Sequence, residues 1–108
     1  MATILTAEDF VTGITGITED LTIPGLGTIR VKSLSVLEVK QIDAKAKGDQ
    51  IETGLLMAAA GIAEPKLSAE QLDQLQNARP GIIAQISRRV SQLSGMTAEA
   101  DPLVGAGS

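Results

Sequence analysis

Cysteine and histidine are both missing from the 108 residues of this chain, as are tryptophan and tyrosine, and Phe10 is the single aromatic residue. Without cysteine there are no disulfides, thiolate metal ligands or thiol nucleophiles. Without histidine the usual neutral-pH general base and the commonest metal ligand are gone. A core without aromatics has to be built from Ile, Leu, Val, Ala and Met, and an interface has to rely on aliphatic area. No Lys or Arg precedes Arg30, so the start of the chain lacks the positive region of a signal peptide. The longest strongly apolar stretch, Gly54–Ala63, is far short of the ~20 residues that span a bilayer. The net charge is −4 and no basic run is long enough to track a phosphate backbone. These absences predict a cytosolic protein that binds neither nucleic acid nor membrane, with no catalytic, cofactor-binding or metal-binding residues.

What is present reads as one domain. Residues 1–19 are expected to be a weakly ordered lead-in. Thr6-Ala-Glu-Asp9 has the form of a capping box that could start one helical turn carrying Phe10 and Val11. The tripeptide Gly-Ile-Thr then occurs twice, at 13–15 and 16–18, too few copies for a solenoid. Residues 21–33 predict a β-hairpin: Leu21 and Ile23, then Ile29 and Val31, alternate with polar neighbours around the turn residues Pro24-Gly-Leu-Gly27. Ser35-Val-Leu-Glu38 is a capping box for a helix near 36–47, with Val36, Val39, Ile42 and Ala46 on one face and Gly48 as its stop. A second helix is expected at 50–63 and a third near 69–77, capped by Ser68-Ala-Glu-Gln71, with Leu72 and Leu75 inward. A fourth should cover 81–94, begun by Pro80 and ended by Gly95, its Ile82, Ile83, Ile86, Val90 and Leu93 lying within a ~100° arc. Residues 96–108 read as a mobile tail. The fold class is α+β: a small N-terminal hairpin followed by three or four packed helices, in a domain spanning 20–95.

Motifs that suggest chemistry resolve into turns, caps and surface charge. Gly25-Leu-Gly27 starts like a dinucleotide fingerprint, but Arg30 stands where the third glycine belongs and a strand follows it. The adjacent acids Glu8-Asp9 and Glu19-Asp20 point apart and do not face each other across a cleft. Asp43, Asp49 and Glu52 lack the spacing of a calcium loop. Serine nucleophiles lack a histidine partner, and Ser35 is explained as a cap. Arg88-Arg89 reads as surface solvation or ion pairing.

The helix at 50–63 stands out because its apolar residues surround the axis. Either the rest of the domain buries it, or Leu56, Met57 and Ala60 line a groove for an amphipathic partner. Gly54 and Gly61 within it allow close backbone approach.

The order of segments resembles that of the tail assembly chaperones of long-tailed bacteriophages and prophages. The likeness runs over about residues 20–96. It is carried by the hairpin Leu21-Thr-Ile-Pro-Gly-Leu-Gly-Thr-Ile-Arg-Val31, the helix start Ser33-Leu-Ser-Val-Leu-Glu38 and the Ala-rich helix ending Ala60-Gly-Ile-Ala-Glu-Pro65. The stretches Lys66-Leu-Ser-Ala-Glu-Gln-Leu72 and Leu93-Ser-Gly-Met96 complete it. The resemblance implies a non-enzymatic protein of the host bacterial cytoplasm, absent from the mature virion. It would bind and solubilise the tape measure protein, help recruit tail tube subunits, and in many members be made alongside a frameshifted longer form. Alternatives are a structural virion protein, such as a tail tube or connector subunit, and a small non-viral adaptor. An exposed apolar helix also permits a homo-oligomer.

Overall fold

The alternation in the hairpin region becomes sheet in the computed structural model, which describes residues 3–96. Strands β1 (Thr18–Ile23) and β2 (Gly27–Lys32) pair antiparallel, with Asp20 opposite Arg30 and Leu21 opposite Ile29. β1 begins at Thr18, three residues before the predicted start. Odd-numbered side chains face the helices and even-numbered ones face water, as a period of two requires. Pro24 and Gly25 turn the chain: Gly25 has φ +80°, and the Leu26 N–H donates to the Ile23 carbonyl at 3.0 Å, as in a type II turn. Glu19 and Asp20 do point apart. Glu19 faces the helices and pairs with Arg89, while Asp20 pairs with Arg30 on the outer face.

Two elements differ from expectation. The first is α1 (Ala7–Ile14), which stands where a weakly ordered lead-in was predicted. The Asp9 N–H donates to Thr6 Oγ1 at 3.1 Å, and Ala7, Phe10, Val11 and Ile14 repeat at helical spacing, so the cap starts two turns and not one. The tripeptide Gly-Ile-Thr thus ends a helix in its first copy and leads into a strand in its second. The second difference is β3 (Ile62–Glu64), which occupies the predicted end of the helix at 50–63. That helix, α3, runs Gln50–Gly61. Ile62 then pairs with Val31 and Glu64 with Arg30 across a bulge, completing a three-stranded antiparallel sheet of order β1-β2-β3. The protein is therefore a mixed helix–sheet fold with five α-helices, a helix preceding the hairpin and a strand interrupting the helical run.

The remaining helices follow their caps. α2 (Val36–Ala46) carries both bonds of the Ser35–Glu38 capping box and ends one residue before the predicted Lys47. Ile42 and Ala46 are buried on it, but Val36, in its first turn beyond the core edge, is 75% exposed. α4 (Ala69–Gln74) has the Ser68–Gln71 box and continues as a 3₁₀ turn, Leu75–Asn77. This short helix buries no residue, and Leu72 is exposed where it was expected inward. α5 (Pro80–Leu93) buries Ile86 and Val90, and closes with the Met96 N–H donating to Ser91 O and the Gly95 N–H to Gln92 O. The predicted tail from 97 onward lies outside the described residues.

The core is aliphatic: Ile23, Val31, Leu34, Ile42, Ala58, Ile86 and Val90 form one cluster between the sheet and α2, α3 and α5. The closest helix packing is at Gly61. A Cβ placed there would lie 2.8 Å from Val90 Cγ1 and 3.0 Å from Val90 Cβ. Gly54 faces Ser87 more loosely, at 3.7 Å from its Oγ.

Leu34 is held in the core by a polar latch. Its N–H donates to Ser94 Oγ at 2.8 Å, and that hydroxyl donates to the Val90 carbonyl at 2.7 Å. Ser94→Ala leaves the Leu34 N–H without its partner beside a buried side chain. The expected loss is about 1–2 kcal/mol of unfolding free energy, read by urea denaturation at unchanged m-value.

Candidate functional site

One end of the molecule concentrates exposed apolar side chains. Phe10, Val11 and Ile14 of α1, Ile17 in the link to β1, and Val36 and Leu37 at the start of α2 are each more than half exposed. α1 buries none of its eight residues. A helix that short is marginal in water by itself, and its apolar arc lies open. Leu5 and Phe10 occupy the two positions of a hydrophobic staple around Thr6, which adds to the same exposed surface.

Beside α1 runs an open groove of about 770 Å³. Val11, Ile14 and Ile17 form one wall. Leu34, Val36 and Leu93 supply apolar surface opposite, and Lys32, Glu38 and the Ser33–Ser35 hydroxyls mark a polar edge. Two hydrogen bonds fix α1 to the sheet end: the Ile17 N–H donates to Ser33 Oγ and the Ser33 N–H donates to the Ile17 carbonyl, both at 2.9 Å. Gly16 passes against the same hydroxyl, where a Cβ would lie 2.9 Å from Ser33 Oγ. The sequence therefore sets the angle of the wall through Gly16 and Ser33, while the apolar arc supplies its surface.

The groove's polar edge carries the one carboxylate with a clear shift. Lys32 Nζ donates to Glu38 Oε2 at 2.8 Å and the Ser35 N–H donates to Oε1 at 2.9 Å. The Lys32 bond first, then the Ser35 backbone bond, hold the Glu38 carboxyl below the usual carboxylate range. A carboxyl whose pKa falls on folding contributes stability above its unfolded pKa and loses it as the pH drops through the folded value. Acid should therefore loosen the start of α2. Glu38→Gln should lower stability at neutral pH and flatten the acid limb of a Tm-against-pH profile relative to the wild type.

The predicted partner-binding residues Leu56, Met57 and Ala60 lie elsewhere. They are partly buried and pack against the core cluster between the sheet and α5, and neither surface depression includes them. The apolar circumference of α3 is mostly consumed by α2, α5 and β3, leaving Ile51, at 85% exposure, as its outlying apolar residue. The face that remains open, on α1, sits in the segment read as lead-in. Its signal was present in the spacing of Ala7, Phe10, Val11 and Ile14 behind the Thr6 cap.

The second depression, about 530 Å³, lies on the outer sheet face over Asp20, Arg30 and Glu64. Its charges satisfy one another: Arg30 bridges Asp20 at 3.0 Å and Glu64 at 3.6 Å. Among the described residues no group of three or more acidic side chains is gathered to hold a metal ion, and no helix is long and apolar enough to cross a membrane. Comparison with protein-family models, with curated proteins and with solved structures finds no match to this chain.

Proposed function

We propose that this chain is a tail assembly chaperone of a long-tailed phage or prophage. It binds the tape measure protein, keeps it soluble in the host cytoplasm, helps recruit tail tube subunits and leaves before the virion is complete. It performs no catalysis. The observation that carries this reading is α1: a capped amphipathic helix that buries nothing of itself and walls an open apolar groove. Grooves of this kind receive the apolar stripe of a partner helix, at spacing i, i+3, i+4, i+7. A long helical protein with exposed stripes needs such a cover before assembly. The exposed area is aliphatic apart from Phe10, which suits contacts that must later be released.

The resemblance over residues 20–96 supplies the partner's identity, and α1 supplies the surface, so the two supports are independent. Co-expression with the tape measure protein of the same genome tests the reading. Increased solubility and co-purification of that protein are expected; neither occurring would overturn it. Mass spectrometry of purified particles separates it from a structural virion protein, which would be present in stoichiometric amount.

A further inference from the structure

We propose that the segment received by the α1 face is an apolar helical stretch flanked by Lys or Arg, selected by charge as well as by its stripe. This deepens, and rests on, the reading that the groove receives a partner helix. Charge along the chain is uneven. The first 29 residues hold Glu8, Asp9, Glu19 and Asp20 and no Lys or Arg, so the whole net charge of −4 resides there; the rest has nine of each sign. Arg89 pairs with Glu19 and Arg30 pairs with Asp20. Among the described residues, no cation pairs with Glu8 or Asp9, which are both exposed.

Both acids belong to the docking surface. At ~100° per residue, Ala7, Phe10, Val11 and Ile14 cover one arc of α1, Glu8 borders it on the Val11 side, and Asp9 lies beyond Phe10. The apolar patch is thus bounded at its N-terminal end by two unanswered negative charges. The groove's own cation, Lys32, is already paired with Glu38 at 2.8 Å. A second copy of this chain would bring another Glu8 and Asp9 with no basic residue on its own α1 to meet them. Nucleic acid and anionic membrane would meet the same repulsion. A basic flank gains attraction on approach and two exposed ion pairs when seated.

Two fluorescein-labelled peptides with the same Leu/Ile stripe test this, one flanked by two lysines and one by two glutamates, titrated by anisotropy against the full chain. The lysine-flanked peptide should bind about fivefold tighter at low salt, and the advantage should fade at roughly 0.5 M salt, where exposed charges are screened. Glu8→Gln with Asp9→Asn should remove the advantage while circular dichroism stays unchanged; the salt dependence of the wild-type chain tests the same point without any variant. Equal affinity for the two peptides would overturn the charge selection and leave the groove reading standing. Binding of neither peptide, while the tape measure protein still co-purifies, would overturn only this inference. So would a homodimer abolished by Ile14→Asp, or tight binding of neutral lipid vesicles through α1.

Discussion

Replacing Gly61 with alanine should lower the unfolding free energy by about 2 kcal/mol and the Tm by roughly 10 °C. The added methyl would meet Val90, which is fully buried at 0% exposure and flanked by α3, α5 and the sheet, so it has no direction in which to yield. Overpacking of this kind typically costs about 1–3 kcal/mol, and the helix propensity gained from alanine, up to ~1 kcal/mol, offsets only part of it. Gly54→Ala, on the same helix, should have the opposite sign. Its methyl would find Ser87 Oγ at 3.7 Å, an ordinary contact, so the propensity gain dominates and stability rises by a few tenths to ~1 kcal/mol. The mechanism is checked by a double-mutant cycle. Val90→Ala alone should destabilise by opening a cavity, but combined with Gly61→Ala the added and deleted methyls compensate. The pair should then be more stable than the sum of the single changes by at least ~1 kcal/mol. Additivity would mean that the close approach of α3 to α5 is not the source of the effect.

Val11→Asp together with Ile14→Asp should produce the reverse profile: a near-complete loss of partner binding with little change in stability. Both side chains are more than half exposed and neither belongs to the core cluster. Exposed substitutions of this type usually change stability by no more than ~0.5 kcal/mol. Each carboxylate would, however, be carried into the apolar wall of the groove, where a seated helix would strip it of water. Burying an unpaired charge costs several kcal/mol, enough to reduce affinity by ~100-fold or more. Thermal denaturation and solubility of the co-expressed tape measure protein are the two readouts. A large drop in Tm would place these residues in the fold and not in the interface.

The different legibility of these two regions has a physical basis. The hairpin and helices α2, α4 and α5 announce themselves locally, through period-two alternation, Ser35–Glu38, Ser68–Gln71, Pro80 and Gly95. Local capping chemistry survives folding because its partners are three residues away. β3 does not announce itself: Ile62-Ala-Glu64 continues an Ala-rich helical run, and only pairing with Val31 and the contact of Gly61 with Val90 turn it into strand. Leu56, Met57 and Ala60 were misread for the related reason that an apolar circumference does not say which side is covered; α5 and the sheet cover it. α1 was legible in its cap and stripe. Its two glycines and the neighbouring repeat drew the reading toward extended chain, yet Gly13 sits harmlessly in the last turn and Gly16 lies beyond the helix, against Ser33.

Hydrogen–deuterium exchange of the full chain, with and without the tape measure protein, tests the central claim most directly, because it locates the bound surface without altering it. The account predicts protection of amides in residues 7–17 and 34–37, the two walls of the groove, with residues 50–60 unchanged. Protection of residues 50–60 around Leu56, Met57 and Ala60, with α1 exchanging as freely as before, would contradict it.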